Sequence, residues 1–245
     1  MKEFGPATFG EMYADEYDTY HDPGTTVEAV YMIELLAGDA RMLELAIGTG
    51  RMALPLKTRG LDVHGLEASP EMIAKLREKD GGEDIPVTLG DMADFELEDR
   101  FDFVFLVFNT LFNLTSQAKQ LSCFESVGRC LNSGGKFLLE TFVPDLSRFQ
   151  NGQDVAVKRL DGEQVWIEAV VHDPVDQLLQ YQRIRYTPDG VKLAPLPMRY
   201  AWPSEIDLMA KLAGLELVER WGGWQREPFN ASSNMHVSVY EKRAP

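Results

Sequence analysis

The sequence predicts an α/β protein: a doubly wound, mostly parallel sheet carrying a small antiparallel insert. Three observations carry that expectation. Strand-like and helix-like stretches alternate through the first half of the chain, a rhythm that predicts parallel strands joined by crossover helices. The run "FDFVFLVF", Phe101–Phe108, is apolar without a break, as in a strand buried on both faces. From Asp154 to Trp202 the pattern becomes a period-two alternation rich in β-branched and aromatic residues, as in antiparallel hairpins. At 245 residues the chain accommodates one such domain with an insertion.

In order, Arg41–Ile47 reads as a first strand and Arg51–Arg59 as a helix ended by Gly60. Asp62–Glu67 is the second strand. Ser69-Pro70-Glu71 then starts a helix, with a capping serine and proline in the first turn. Ile85–Leu89 is a third strand, Phe101–Phe108 a fourth, Ser116–Leu131 an amphipathic helix, and "GGKFLLETF" a fifth strand. The insert follows as "DVAVKRL", "EQVWIEAVV", "QLLQYQRIRY" and "PMRYAW", with turn signals at Asp161-Gly162, His172–Pro174 and Pro188–Gly190. The chain closes with a helix, "SEIDLMAKLAG", and two strands, "LELVERWG" and "MHVSVYEK".

Formal net charge is −15 and the pI is about 4.7, with no basic cluster beyond pairs such as Lys158-Arg159, so a nucleic-acid partner is not expected. No apolar run approaches the ~20 residues that span a bilayer, so no membrane partner is expected either. The polar, acidic N-terminus reads as neither a signal nor a transit peptide, which leaves a cytoplasmic location as the expectation. Cys123 and Cys130 fall on one helix, roughly 10 Å apart along its axis. That is too far for a disulfide, so they read as reduced core thiols.

The functional signal begins at "MLELAIGTGRMALP", Met42–Pro55, where an apolar strand runs into Gly48-Thr49-Gly50 and a helix. "GTGRMA" also fits the loose dinucleotide fingerprint, so on its own the turn leaves the cofactor open. Three carboxylates narrow it. Glu44 lies inside the first strand, where a dinucleotide fold keeps an apolar residue and where a buried carboxylate needs a partner. Glu67 ends the second strand, placed to accept from the hydroxyls of a ribose. Asp91 follows the third strand, placed to accept from an adenine amino group. Glu67 and Asp91 also suit helix caps, Met72 helix core, and Phe108 the end of a buried strand.

Taken in order and spacing, "LELAIGTGR", "VHGLEASPEM", "VTLGDMADF" and "FDFVFLVFNTLFNL" resemble the motifs of Rossmann-type S-adenosylmethionine-dependent methyltransferases. The likeness covers most of Tyr17–Phe142. It implies a seven-stranded sheet closed by a reversed C-terminal hairpin, and S-adenosyl-L-methionine as cofactor. The inserted sheet is similar to that of small-molecule members such as amino-sugar N-methyltransferases. On this reading residues 1–40 form a helical lid segment and 41–142 the cofactor-binding core. Residues 150–202 are the insert and 203–245 complete the core sheet, all in one domain.

The resemblance also implies roles. Gly48 and Gly50 lie against the methionine part of the cofactor, with Glu44 and the backbone of Ala46 near its ammonium. Glu67 takes the ribose, Ala68 and Met72 flank the adenine, and Asp91 with the Met92 amide reads its edge. Phe108 and Asn109 border the sulfonium and carboxylate, Arg51 pairs with that carboxylate, and Tyr17 closes over it. A carboxylate meeting donors, an arginine meeting an anion and an aromatic ring near a cation are each favourable. Ile47 departs from the small residue or cysteine common in the family.

Direct displacement at a sulfonium methyl needs no metal, and no clustered metal-ligand set is apparent. An acceptor that must lose a proton calls for a base. His21, beside the tyrosine-rich "YADEYDTYHDP", and His172, at an insert hairpin, are the candidates; His64 and His236 read as structural. The small-molecule acceptor is expected among Tyr13 and Tyr20 of the N-terminal segment, Asn113, Phe142, Arg148, Tyr181, Arg183, and Trp224 with Arg226. An exposed edge of the insert is a candidate homodimer surface. Two other readings stay open: an NAD-dependent oxidoreductase, and a non-catalytic protein that keeps the cofactor fold.

Overall fold

The computed structural model describes residues 4–21 and 23–243. Among the described residues eleven strands form two sheets. β1 (Met42–Leu45), β2 (Val63–Glu67), β3 (Val87–Leu89), β4 (Phe101–Leu106), β5 (Leu131–Phe142), β10 (Leu215–Trp221) and β11 (Met235–Lys242) make a seven-stranded sheet in the order β3-β2-β1-β4-β5-β11-β10. The first five are parallel, and β11 runs antiparallel to both β5 and β10. β6 (Gln153–Leu160), β7 (Val165–Asp173), β8 (Leu178–Thr187) and β9 (Gly190–Arg199) form the second, wholly antiparallel sheet. The α/β class, the reversed C-terminal strand and the inserted sheet are all as the sequence leads one to expect.

The helices are α1 (Thr8–Tyr13), α2 (Tyr17–Tyr20), α3 (Thr26–Ala37), α4 (Ala53–Thr58), α5 (Pro70–Arg77), α6 (Gln117–Cys130) and α7 (Pro203–Leu212). Their starts follow local chemistry. Ser69 Oγ accepts from the Met72 N–H and Ser116 Oγ from the Lys119 N–H, satisfying otherwise orphaned donors of α5 and α6. Pro70 and Pro203 open α5 and α7, where a missing N–H costs nothing. β9 carries Pro195 and Pro197, yet it is an edge strand, which tolerates proline. It begins earlier than the alternation starting at Pro197 suggests.

Two apolar layers sandwich the main sheet. One contains Phe103, Phe105 and Leu138 with side chains of α3 and α4. The other contains Val104, Phe137 and Leu139 with side chains of α6 and α7. Val170, Leu179, Leu196 and Met198 of the insert belong to that second layer, so the small sheet packs into the same core. Cys123 and Cys130 are buried and free, and burial raises both thiols. His236 is buried between Thr141 Oγ1 (2.9 Å) and Ser238 Oγ (2.7 Å), with burial lowering it to about 3, a structural role as expected. Phe105 has no exposed surface, and Phe105→Ala is expected to cost about 3–5 kcal/mol in chemical denaturation by leaving a cavity in the central strand.

Candidate active site

In an open α/β sheet the ligand crevice lies beyond the carboxyl ends of the strands, where the strand order reverses. Here that point falls between β1 and β4, and the backbone there is unusual. Ala46, Phe108 and Asn109 all have positive φ (52°, 61° and 62°), as does Gly48 (58°). Outside glycine such conformations are costly and persist only where surrounding contacts enforce them. The enforcing contacts are visible. Glu140 Oε2 accepts from the Phe108 N–H at 2.7 Å, and Asn109 Oδ1 accepts from the Phe142 N–H at 2.5 Å.

A cleft of ≈ 390 Å³ opens over these ends. Ala46, Gly48, Glu67, Ala68, Met72, Asp91 and Met92 line one half, with Phe108, Asn109 and Tyr17 at its centre. The Glu67 carboxylate accepts from Gly48 N–H (2.8 Å), Ala68 N–H (3.0 Å) and Ser69 N–H (2.9 Å). Burial raises its pKa, against the pull of those donors. Asp91 Oδ1 accepts from the Ala93 N–H at 2.9 Å.

Behind the first turn lie two charged residues that do not line the cleft. Glu44 is 4% exposed and its Oε2 has no hydrogen-bond partner; Arg51 Nε is likewise buried and unpartnered. Burial pushes the Glu44 carboxyl up to about 8, with the Arg51 charge opposing the rise and Glu67 adding to it. Arg51 Nη1 donates to Thr26 Oγ1 at 2.9 Å, and the guanidinium lies 5.0 Å from the Phe108 ring centre. An acceptor and a donor left unsatisfied within electrostatic reach of each other suit a ligand carrying both an ammonium and a carboxylate. Gly50 is also behind the cleft. A Cβ there would meet Leu76 Cδ1 at 2.4 Å, so this glycine serves helix packing rather than ligand approach.

The other half of the cleft is built by Asn113, Phe142 and Arg148 and by the inward face of the insert, with Tyr181 and Arg183. Glu168 and Lys158, which the sequence reading does not single out, join them. Glu168 is 6% exposed and holds Arg183 (3.3 Å) and Lys158 (3.4 Å), while Arg148 pairs with Asp154 at 2.8 Å. Phe9 of α1 also lines the cleft.

His21 reaches the cleft, but as a poor base. Arg183 Nη1 lies 3.0 Å from His21 Nε2, and because guanidinium only donates, Nε2 must accept and its lone pair is engaged. Burial, then the Arg183 charge, lowers His21 to about 4.

Five further expectations are not met. His172 lies outside the cleft, its Nε2 3.1 Å from Tyr200 Oη and its ring stacked on Phe149. Tyr13 donates to the Pro195 carbonyl at 3.4 Å, and Tyr20 packs under Arg185, 4.4 Å from its ring centre. Both therefore fasten the N-terminal segment to the insert instead of facing the acceptor. Trp224 is core, and Arg226 lies over the Trp221 ring at the far edge of the sheet. That edge is three strands from β4, too remote to frame the cleft.

A methyltransferase-domain family model matches residues 42–135. The CcbJ methyltransferase of Streptomyces caelestis is 39% identical, with 98% of this chain and 100% of that one covered and a TM-score of 0.92. The cypemycin N-terminal methyltransferase of a Streptomyces species is 25% identical, with 97% of this chain and 99% of that protein covered. CalS10 from Micromonospora echinaspora, an amino-pentose methyltransferase solved with bound S-adenosylmethionine, shares the fold at 21% identity, a TM-score of 0.70, and 94% and 96% coverage.

The fold, its switch-point cleft and these likenesses define a methyl-transfer enzyme. The chain belongs to the class I S-adenosylmethionine-dependent methyltransferases. Membership sets aside the NAD-dependent oxidoreductase reading.

Glu44 gives a pH signature. Between pH 4.5 and about 8 the folded chain keeps a proton on Glu44 that the unfolded chain gives up, so stability falls as pH rises across that window. Glu44→Gln should flatten that slope in thermal melts. S-adenosylhomocysteine, whose ammonium favours the ionised carboxylate, should bind more tightly toward pH 8 and release a proton. The same variant should lose about ten- to a hundredfold in affinity by calorimetry. Slopes unchanged in both measurements would remove Glu44 from the site.

Proposed function

We propose that this enzyme methylates a nitrogen atom of a small-molecule acceptor. The observation that carries the choice of nitrogen is the state of His21. It is the one histidine among the described residues lining the cleft, and it is held neutral, weakly basic and engaged by Arg183. A hydroxyl acceptor needs a base to strip its proton, whereas an amine offers a lone pair whenever it is neutral. The name of the similar cypemycin N-terminal methyltransferase points to nitrogen, and that of the amino-pentose enzyme to a small, amine-bearing acceptor.

S-adenosylmethionine, when bound, supplies an activated methyl group on a sulfonium. The rest falls to the chain's own side chains. Glu67 takes the ribose hydroxyls, and Ala68 with Met72 flanks the adenine. Asp91, with one carboxylate oxygen not claimed by the Ala93 N–H, accepts from the adenine edge together with the Met92 amide. Glu44 and Arg51 satisfy the ammonium and carboxylate of the methionine part. Tyr17 and Phe108 give the sulfonium aromatic neighbours, favourable for a cation. Asn113, Phe142, Arg148, Tyr181 and Arg183 orient the acceptor so that its lone pair faces the methyl carbon. Such alignment alone is worth up to roughly 7–11 kcal/mol of barrier. The C–N bond forms as the C–S bond breaks, and the surplus proton leaves to solvent.

The test is to incubate the enzyme with S-adenosylmethionine and matched pairs of amines and alcohols, reading products by mass spectrometry. Methylated amines, with a pH profile that follows the amine's own pKa and survives in His21→Asn, are expected. Methylation of the alcohols alone would overturn the reading. Asp91→Asn should weaken cofactor binding by about tenfold while leaving the fold intact.

A further inference from the structure

The acceptor half of the cleft is cationic in an acidic protein. Among the described residues its charged lining is Lys119, Arg148, Lys158 and Arg183 against one carboxylate, Glu168. Asp154 adds a second carboxylate from behind, through its pair with Arg148. Cations therefore outnumber acids two to one at this place. The whole chain is the reverse, with 24 lysines and arginines against 39 aspartates and glutamates.

Pairing within the fold uses only part of that positive charge. Glu168 is shared between Arg183 and Lys158. Arg148 gives Nε to Asp154, and neither of its Nη groups has a hydrogen-bond partner among the described residues. The Lys119 side chain has no hydrogen bond and no ion pair among them. Lys119 also stands in the first turn of α6, where a helix favours an acid, so its charge does nothing for the helix that carries it. The two arginines meet at Tyr181. Burial raises that hydroxyl while the Arg148 and Arg183 charges oppose the rise, so both lie within electrostatic reach of it. The hydroxyl itself has no hydrogen-bond partner among the described residues.

We propose that the amine methylated in this cleft also carries an anionic group, a carboxylate or a phosphate ester, seated by Arg148, Tyr181 and Arg183 with Lys119 at the rim. The inference rests on the nitrogen reading above and adds to it the charge of the acceptor. An anionic group would meet donors on several side chains at once, and a guanidinium fork suits its paired oxygens. It would also offset a surplus of like charge gathered in a half-enclosed space. The same cations bear on the chemistry. Positive surroundings disfavour an ammonium, and so keep the amine in the neutral form whose lone pair attacks.

Calorimetric titration of the enzyme loaded with S-adenosylhomocysteine tests this with four matched amines: phenylalanine, phenylalaninol O-phosphate, phenylalaninamide and phenylalaninol. Their common tail suits the Phe9 and Phe142 lining, and only the head group differs. At least one of the two anions should bind at least about tenfold more tightly than the amide and the alcohol, and the tighter of the two tells carboxylate from phosphate. Lys119→Gln and Arg148→Gln should each weaken that anion by about tenfold and leave the amide and the alcohol as they were. Lys119 is exposed, so its variant keeps the question answerable should Arg148→Gln fail to melt cooperatively. Equal binding of all four, no binding of either anion at about 10 mM, or a preference undiminished in the folded variants would overturn the proposal. Equal binding would leave nitrogen methylation standing, and methylation confined to alcohols would leave an anion preference standing, so the two readings fail separately.

Discussion

The cleft depends first on one carboxylate. Glu67 at the end of β2 gathers three backbone N–H groups from two turns, that of Gly48 after β1 and those of Ala68 and Ser69 before α5. A buried carboxylate without such donors would be prohibitively costly; with them it becomes a clamp that fixes one loop against another. The strained Ala46 and the left-handed Gly48 sit inside that clamp. Glu140 works the same way at the neighbouring strand end, holding the Phe108 amide while Asn109 holds that of Phe142. The strand-order reversal is therefore shaped by two buried acids, each reaching across from an adjacent strand.

The N-terminal segment closes this frame by touching both sheets. On the core side Asp18 meets Thr49 and Lys79, each at 2.6 Å, and Gly10 lies so close to α5 that an added Cβ would stand 2.1 Å from Ser69 Oγ. On the insert side Glu16 pairs with Arg185 (2.7 Å) and Lys192 (3.0 Å). Such half-exposed ion pairs hold weakly one by one, so closure rests on the bare backbone at Gly10 and on the Phe9, Tyr13 and His21 rings packed together. The acidic start of the sequence thus has a place: its carboxylates meet Lys79 on the core side and Arg185 and Lys192 on the insert.

What the sequence made legible follows from what a strand end determines. Once β1, β2 and the residues after β3 and β4 are located, Ala46, Gly48, Glu67, Asp91, Phe108 and Asn109 have little choice of direction, and all line the cleft. The insert was opaque for the opposite reason. Its register depends on turn lengths and on the irregularity at Val157/Arg159, so nothing local shows that Glu168 and Lys158 face the same space as Arg183. Tyr13, Tyr17 and Tyr20 look equivalent in sequence, but of the three Tyr17 alone lines the cleft, while Tyr13 and Tyr20 meet the insert. Trp224 and Arg226 follow the carboxyl end of β10, but Trp224 turns into the core layer beneath Phe108 and Arg226 lies over Trp221 at the sheet's edge, so neither lines the cleft.

The alternation of the insert has a consequence for how the protein can change. On β8, Tyr181 and Arg183 point inward while Gln182 and Ile184 point outward, and β7 and β9 divide their residues in the same manner. Substitutions at one set can reshape the pocket without disturbing the smooth exterior, and the reverse also holds. Insertion or deletion of a single residue within a strand has no such freedom. It would exchange the two faces, carrying arginines into the open and valines into the cleft. Diversity among close variants of this sheet should therefore accumulate by replacement within the strands, with changes of length confined to its hairpins.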